Sequence, residues 1–177
     1  PACADEYANP ADRRFHAQPT ACAACGPHLT LLAWQEGGQG WHPTATAEAA
    51  LRQAAAALRT GAIVAVKGLG GYHLMVDAAN QEAVLRLRQR KGREAKPFAL
   101  MARTLADAHS LVHLAAAEAD LLASAAAPIL LAPTLANAPV APGVAPGMAR
   151  LGVMLAATPL HHLLLLETGR PLVATSG

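Results

Sequence analysis

A chain of 177 residues with 53% hydrophobic but only 3% aromatic side chains has to build its core from Leu, Val, Ile and Ala. Its charged fraction of 15% is too low for a disordered chain, and a net charge of +2 is too weak a field for nucleic acid or an anionic membrane to be the main partner. No run of about 18 uncharged apolar residues occurs, which excludes a membrane-spanning helix. The chain starts at Pro1 without Met, stops at Gly177 straight after an apolar run, and shows no signal-peptide pattern. We therefore expect a piece of a longer, cytoplasmic protein.

All three cysteines fall in the first 25 residues: Cys3, Cys22 and Cys25. An odd number argues against a disulfide framework. Cys22-Ala-Ala-Cys25 followed by Gly26-Pro27 is a knuckle that brings two thiolates to one tetrahedral zinc ion. Cys3 is half of a second knuckle, which a cysteine just before Pro1 would complete. A redox pair or three incidental cysteines is the plainer alternative, and His16 or His28 could stand in as the fourth ligand. The segment 5–15 is polar and could not fold by burial alone, so a metal would have to stabilise it. A short strand over 29–34 follows. Residues 36–40, Glu-Gly-Gly-Gln-Gly, then read as a linker, dividing the chain into 1–40 and 41–177.

The second region alternates helix and strand. A helix over 47–59 closes at Gly61. A strand over 62–66 leads to Lys67, and the turn Gly68-Leu69-Gly70-Gly71 precedes a strand over 72–76. Asn80 caps a helix to about 90, and a strand spans 97–101. Thr104 and Asp107 form a capping box for a further helix. Residues 115–123 are helical, 128–131 a strand, 133–150 a long Pro/Gly-rich loop and 151–155 a strand. Thr158-Pro159 opens a helix ending at Gly169, and 171–175 is a final strand. This mixture predicts an α/β (α+β) domain with a twisted open sheet and flanking helices.

Three features could carry chemistry. Lys67 stands at the end of an expected buried strand, where its charge needs a partner such as a bound anion. Arg86, Arg88, Arg90, Lys91, Arg93 and Lys96 form a basic run containing a single acid, Glu94. The run reads either as a solvated helix face, to which Arg86 is assigned, or as an anion site. In the second case Lys91-Gly92-Arg93 offers a point charge and a planar fork to phosphate. Thr175-Ser176-Gly177 at a strand end is either a phosphate-holding turn or a plain one. His161-His162, in an apolar helix, reads as one packed and one exposed residue.

These residues resemble a known family. Cys3-x18-Cys22-x2-Cys25-Gly26-Pro27 with the intervening Asn9-Pro10-Ala11-Asp12-Arg13-Arg14-Phe15 is similar to the second zinc finger of the HypF family of hydrogenase-maturation carbamoyltransferases. The blocks from Val66 to Leu74, from Leu87 to Met101, from Thr158 to Leu165 and from Pro171 to Gly177 are similar to its next, YrdC-like domain, in the same order. The resemblance implies a structural Zn2+ held by Cys3, Cys22 and Cys25. It implies that carbamoyl phosphate supplies carbamate, which is joined to ATP with Mg2+ as counter-ion to give carbamoyl-adenylate. The carbamoyl group then passes to the C-terminal cysteine of HypE. The family's K-x-R motif falls on Lys91 and Arg93, named as catalytic, and its Ser-x-Asn motif on Ser176. Lys67, Lys96 and Thr175 are expected to line the same enclosed cavity. Glu94 departs from the family's usual proline, and Ala156-Ala157 departs from its usual pair. Two other classes stay open: a threonylcarbamoyl-adenylate synthase acting in tRNA modification, which lacks the zinc half-site, and a non-catalytic zinc-bearing interaction module.

Overall fold

The computed structural model describes residues 2–18, 21–35, 37 and 40–177. The chain divides into two units, Pro1–Ala50 and Leu51–Gly177. The first unit opens with α1 (Ala2–Ala8), which the sequence did not foreshadow because it has no apolar stripe, and none of its residues is buried. Polar contacts fold the following segment back on it. Arg14 pairs with Glu6 at 2.8 Å, the Tyr7 and His16 rings stack at 4.9 Å, and the His16 N–H bonds the Tyr7 carbonyl. β1 (Thr30–Trp34) pairs antiparallel with β2 (Trp41–Thr46), a strand absent from the expected elements. Pro43 lies in β2 beside a register shift, where a missing N–H does little harm. Of the expected linker, Glu36, Gly38 and Gln39 lie outside the described residues.

α2 (Ala47–Arg59) leads into the second unit, where six described strands form one open sheet. They are β3 (Val64–Lys67), β4 (Tyr72–Asp77), β5 (Ala99–Ala102), β6 (Leu130–Pro133), β7 (Arg150–Leu155) and β8 (Leu172–Ser176). Their order is β3-β4-β8-β5-β7-β6, and only β5 and β7 run parallel. The helices are α3 (Gln81–Lys91), α4 (Leu105–His109), α5 (Ala116–Leu122) and α6 (Pro159–Thr168). This is the expected open sheet with flanking helices. The caps are also where the sequence puts them. Asn80 accepts the Ala83 N–H, Thr104 and Asp107 close a capping box, and Thr158 accepts the His161 N–H.

β8 lies inside the sheet, and Leu172, Val173, Ala174 and Thr175 are all buried. That explains a strand whose apolar run does not alternate: both of its faces are covered. Val173 joins Val76, Leu87, Phe98, Leu100 and Val153 in one core, where burying each large side chain contributes about 1.5–3 kcal/mol. Asp77, also buried, accepts from the Arg170 guanidinium at 2.8 Å and the Ala79 N–H at 2.9 Å. The end of β4 is thereby fastened to the entry of β8.

Three expectations need correcting. β3, β5 and β6 each start two residues later than expected, at Val64, Ala99 and Leu130. The 133–150 loop holds a 3-10 turn, Pro142–Val144, whose Gly143 and Val144 are buried. β3 is an edge strand, and its Lys67 is exposed, with Nζ 5.2 Å over the Tyr72 ring. An edge position gives the ammonium water, so no anion is needed to offset burial.

Candidate functional site

Cys3 comes from α1, and Cys22 and Cys25 from the knuckle. Their sulfurs lie within 4.8 Å of one another, with Cys3 Sγ 2.7 Å and Cys22 Sγ 3.3 Å from Cys25 Sγ. The knuckle is a tight turn in which the Cys22 carbonyl accepts the N–H groups of Cys25 and Gly26. A Cβ at Gly26 would meet that carbonyl at 2.8 Å, so only glycine fits. The Cys22 thiol is pulled down to about 6, first by Cys25 and then by the amides of Ala24 and Cys25. Cys3 is pushed up, mainly by the Cys25 thiol. Three soft donors converging around one point, one of them a thiolate at neutral pH, fit three corners of a tetrahedral zinc site. Cys25→Ser is expected to abolish stoichiometric zinc, measured by metal analysis of the purified protein; full retention would exclude the cluster as ligand set.

The basic run ends on a built corner. α3 stops at Gly92, whose left-handed φ of 58° suits glycine, and the Arg93 N–H returns to the Arg88 carbonyl. This turn brings Lys91 and Arg93 to the end of β8. Lys91 Nζ donates to the Ser176 carbonyl. Arg93 donates to the carbonyls of Lys96, at 3.0 Å, and Pro97, and its Nη1 lies 3.4 Å from Thr175 Oγ1. The register explains why a carbonyl awaits Lys91. Ala99 pairs with Ala174, so Pro97 falls opposite Ser176, and proline has no N–H to offer it. Arg93 spends three of its five N–H groups on these bonds and Lys91 one of its three, which leaves donors for an anion.

Lys67 reaches the same sheet end, opposite Tyr72, whose carbonyl accepts the Gly177 N–H at 2.8 Å. Lys96 gives its carbonyl to Arg88 and Arg93 and leaves its side chain exposed. Lys91 and Arg93 are half-buried, and Ser176 is exposed. Thr175 beside them is buried, so the corner opens to solvent on its Ser176 side. A cavity of about 180 Å³, lined by residues such as Leu135, Val140 and Met148, shares no residue with it.

Sequence reading missed two contributors. Arg88 is not on a solvated face: only 6% exposed, it donates to the carbonyls of Gly143, Val144, Arg93, Glu94 and Lys96. It thus holds the loop that carries Arg93, and both guanidinium groups lie over the Phe98 ring, at 4.7 and 4.9 Å. Arg86 is half-buried too, and bonds the Gly61 carbonyl. The second contributor is His73, which faces His161. Of the histidine pair in α6, His161 is buried and His162 exposed, as expected.

Burial, then His73, then His162 push the His161 pKa below the ordinary histidine value. Unfolded His161 protonates near 6.5 and the folded residue only at lower pH. This contribution to stability is complete above about pH 6.5 and falls as pH drops from there toward the folded value, by at most about 1.4 kcal/mol per unit. Melting temperature should therefore fall from pH 7 to pH 5.5, and the drop should shrink in His161→Leu. An equal drop in both would put the acid sensitivity elsewhere.

A metal-type cluster in one unit and an open mixed sheet with a basic strand end in the other define the class of protein. The Sua5/YciO/YrdC family model, described as "Telomere recombination", matches residues 56–177, and the chain belongs to that family. A second model, "HypF finger", matches residues 1–32. Over its full 177 residues the chain is 54% identical to carbamoyltransferase HypF of Rhodobacter capsulatus, and spans 22% of that protein's length. The crystal structure of full-length HypF in the phosphate- and nucleotide-bound form is 41% identical, with a TM-score of 0.82 over 99% of this chain and 22% of that one. P. abyssi Sua5 complexed with L-threonine is more distant, at 26% identity and a TM-score of 0.65 over 72% of this chain and 38% of that one. Among the described residues no helix is long and apolar enough to cross a membrane.

Proposed function

We propose that this chain is the zinc-bearing and adenylate-forming portion of a cytoplasmic HypF-type carbamoyltransferase, with Lys91 and Arg93 as its catalytic cations. The observation that carries this reading is the convergence of Lys91, Arg93 and Thr175 at the Ser176 end of β8. Carbamate, supplied from carbamoyl phosphate, attacks the α-phosphorus of ATP, and pyrophosphate leaves. Negative charge gathers on phosphoryl oxygens, so fixed cations are the main catalytic need and no covalent nucleophile is required. Lys91 and Arg93 supply those cations, and Thr175 and Ser176 hold the phosphates from the strand end. Lys67 and Lys96 add positive potential at the rim. Mg2+, bound with ATP, screens the pyrophosphate. The carbamoyl group passes to the C-terminal cysteine of HypE.

The Sua5 likeness keeps threonylcarbamoyl-adenylate synthesis as a second reading. The higher identity to HypF and the finger match favour the first. The test is exchange of labelled pyrophosphate into ATP by the full-length protein. Exchange that requires carbamoyl phosphate supports the proposal. Exchange that instead requires threonine and bicarbonate would replace it with the second reading.

A further inference from the structure

Arg93 is held at the strand end by contacts of two kinds. Its Nε and Nη2 donate to the carbonyls of Lys96 and Pro97, which lie on the same loop as Arg93 and move with it. Neither bond fixes the guanidinium relative to β8. The polar contact that does reach β8, from Nη1 to Thr175 Oγ1, is long, at 3.4 Å. The other contact is with the Phe98 ring, whose centroid lies 4.9 Å from the guanidinium carbon.

Phe98 belongs to the core rather than to the loop. It is only 1% exposed, it shares a core with Leu100 and Val173, and its N–H donates to the Val144 carbonyl at 2.9 Å. Leu100 pairs with Val173 and Ala99 with Ala174, so Phe98 falls opposite Thr175. Cross-strand partners share a face and successive residues alternate, which puts Phe98, Leu100, Val173 and Thr175 on one face of the sheet. Arg93 rests on the ring and reaches the hydroxyl beside it. Arg88 lies over the same ring at 4.7 Å, but its five bonds to carbonyls fix it without the ring. Arg93 depends on the ring far more.

We propose that Phe98 is the positioning residue for Arg93, setting where the guanidinium stands relative to the phosphoryl group without touching the substrate; the assignment rests on the function proposed above. An aromatic ring suits this task better than a carboxylate. A carboxylate would fix Arg93 but offset its charge and take up N–H groups that the phosphates need. The ring attracts the cation through its quadrupole and spends no N–H. Among the described residues Arg93 has no carboxylate partner. An aliphatic side chain of similar size would fill the core and leave the charge unheld. Placement matters here because a catalytic group displaced by about 1 Å can lose roughly a hundredfold in rate.

The experiment is carbamoyl-phosphate-dependent pyrophosphate exchange in the full-length protein, with kcat and the KM for ATP measured separately and urea midpoints alongside. Phe98→Leu is expected to lower kcat about tenfold, with the KM for ATP changed less than about twofold. Phe98→Tyr keeps the ring but buries a hydroxyl, and should stay within about threefold of wild type even where it is the less stable of the two. In an Arg93→Ala background Phe98→Leu should cost nothing further, because the group that the ring positions is gone. Phe98→Met, equally without a ring, replaces Phe98→Leu in each comparison should leucine prevent folding. Exchange in Phe98→Leu within about twofold of wild type, alongside an Arg93→Ala protein slowed roughly a hundredfold, overturns the inference and spares the proposed function. Losses that multiply in the double variant, or rates that simply follow the urea midpoints, make Phe98 a core residue only and overturn it as well. Absence of exchange in the wild-type protein takes down the proposed function and this inference together.

Discussion

Arg88→Ala is expected to destabilise the protein by about 3–5 kcal/mol, the range for removing one side of a buried charged interaction. Arg88 is buried without a carboxylate partner among the described residues; its charge is met by five backbone carbonyls. Burial, with Arg93 nearby, pushes its pKa down, but a guanidinium still stays charged at neutral pH. Alanine would leave those carbonyls unserved and release the 93–96 loop from the 3-10 turn at Pro142–Val144. Arg88→Lys should recover little, because an ammonium has three N–H groups and no planar fork to reach carbonyls on two segments. Urea unfolding at pH 7 measures the difference. A loss below 1 kcal/mol would mean that the loop holds itself and that Arg88 is incidental to it.

Arg93→Ala is expected to slow carbamoyl-phosphate-dependent pyrophosphate exchange roughly a hundredfold. That corresponds to about 3 kcal/mol of barrier, as for losing one preorganised donor near developing charge. Lys91→Ala should behave alike. The effect should appear in kcat, because the phosphoryl oxygens carry most charge in the transition state. Arg86→Ala should cost some stability through the Gly61 carbonyl and leave exchange unchanged, which separates the middle of α3 from the corner at its C-terminal end. Wild-type exchange in a folded Arg93→Ala protein would remove the Lys91-Gly92-Arg93 corner from the mechanism.

Much of the fold was legible because its signals are local. Asn80, Thr104 and Thr158 are caps in sequence and in structure, and Gly92 and Gly169 end their helices in the left-handed conformation. β2 was not legible: Trp41-His-Pro-Thr-Ala-Thr46 is almost wholly exposed and contains a proline, so it has no alternating pattern to detect. Lys67 was misplaced because an apolar run does not say whether its strand is central or at an edge. That depends on the sheet order, a long-range property. The knuckle gave away the cysteine cluster, since the spacing of ligands is itself the chemistry. Within the basic run, nothing local tells Arg88 from Arg86 or Arg90. What selects Arg88 is a set of carbonyls at Gly143 and Val144, far along the chain. His73 escaped for the same reason, because its partner lies on α6.

The place of β8 between β4 and β5 also governs how the molecule can be made. β3 and β4 form a hairpin, and β5, β7 and β6 form a second patch, but no described strand other than β8 joins them. While the ribosome moves from Leu155 to Leu172 both patches present a bare edge, and the β4 edge of the hairpin is bare from Asp77 onward. At about 5–20 residues per second the exposure of β4 lasts on the order of ten seconds. A nascent chain released between Leu155 and Leu172 is left with two unjoined half-sheets, whose open edges favour pairing with other chains. Destabilising changes in β8 should therefore lower the yield of folded protein during synthesis more than equal changes in the edge strands β3 or β6.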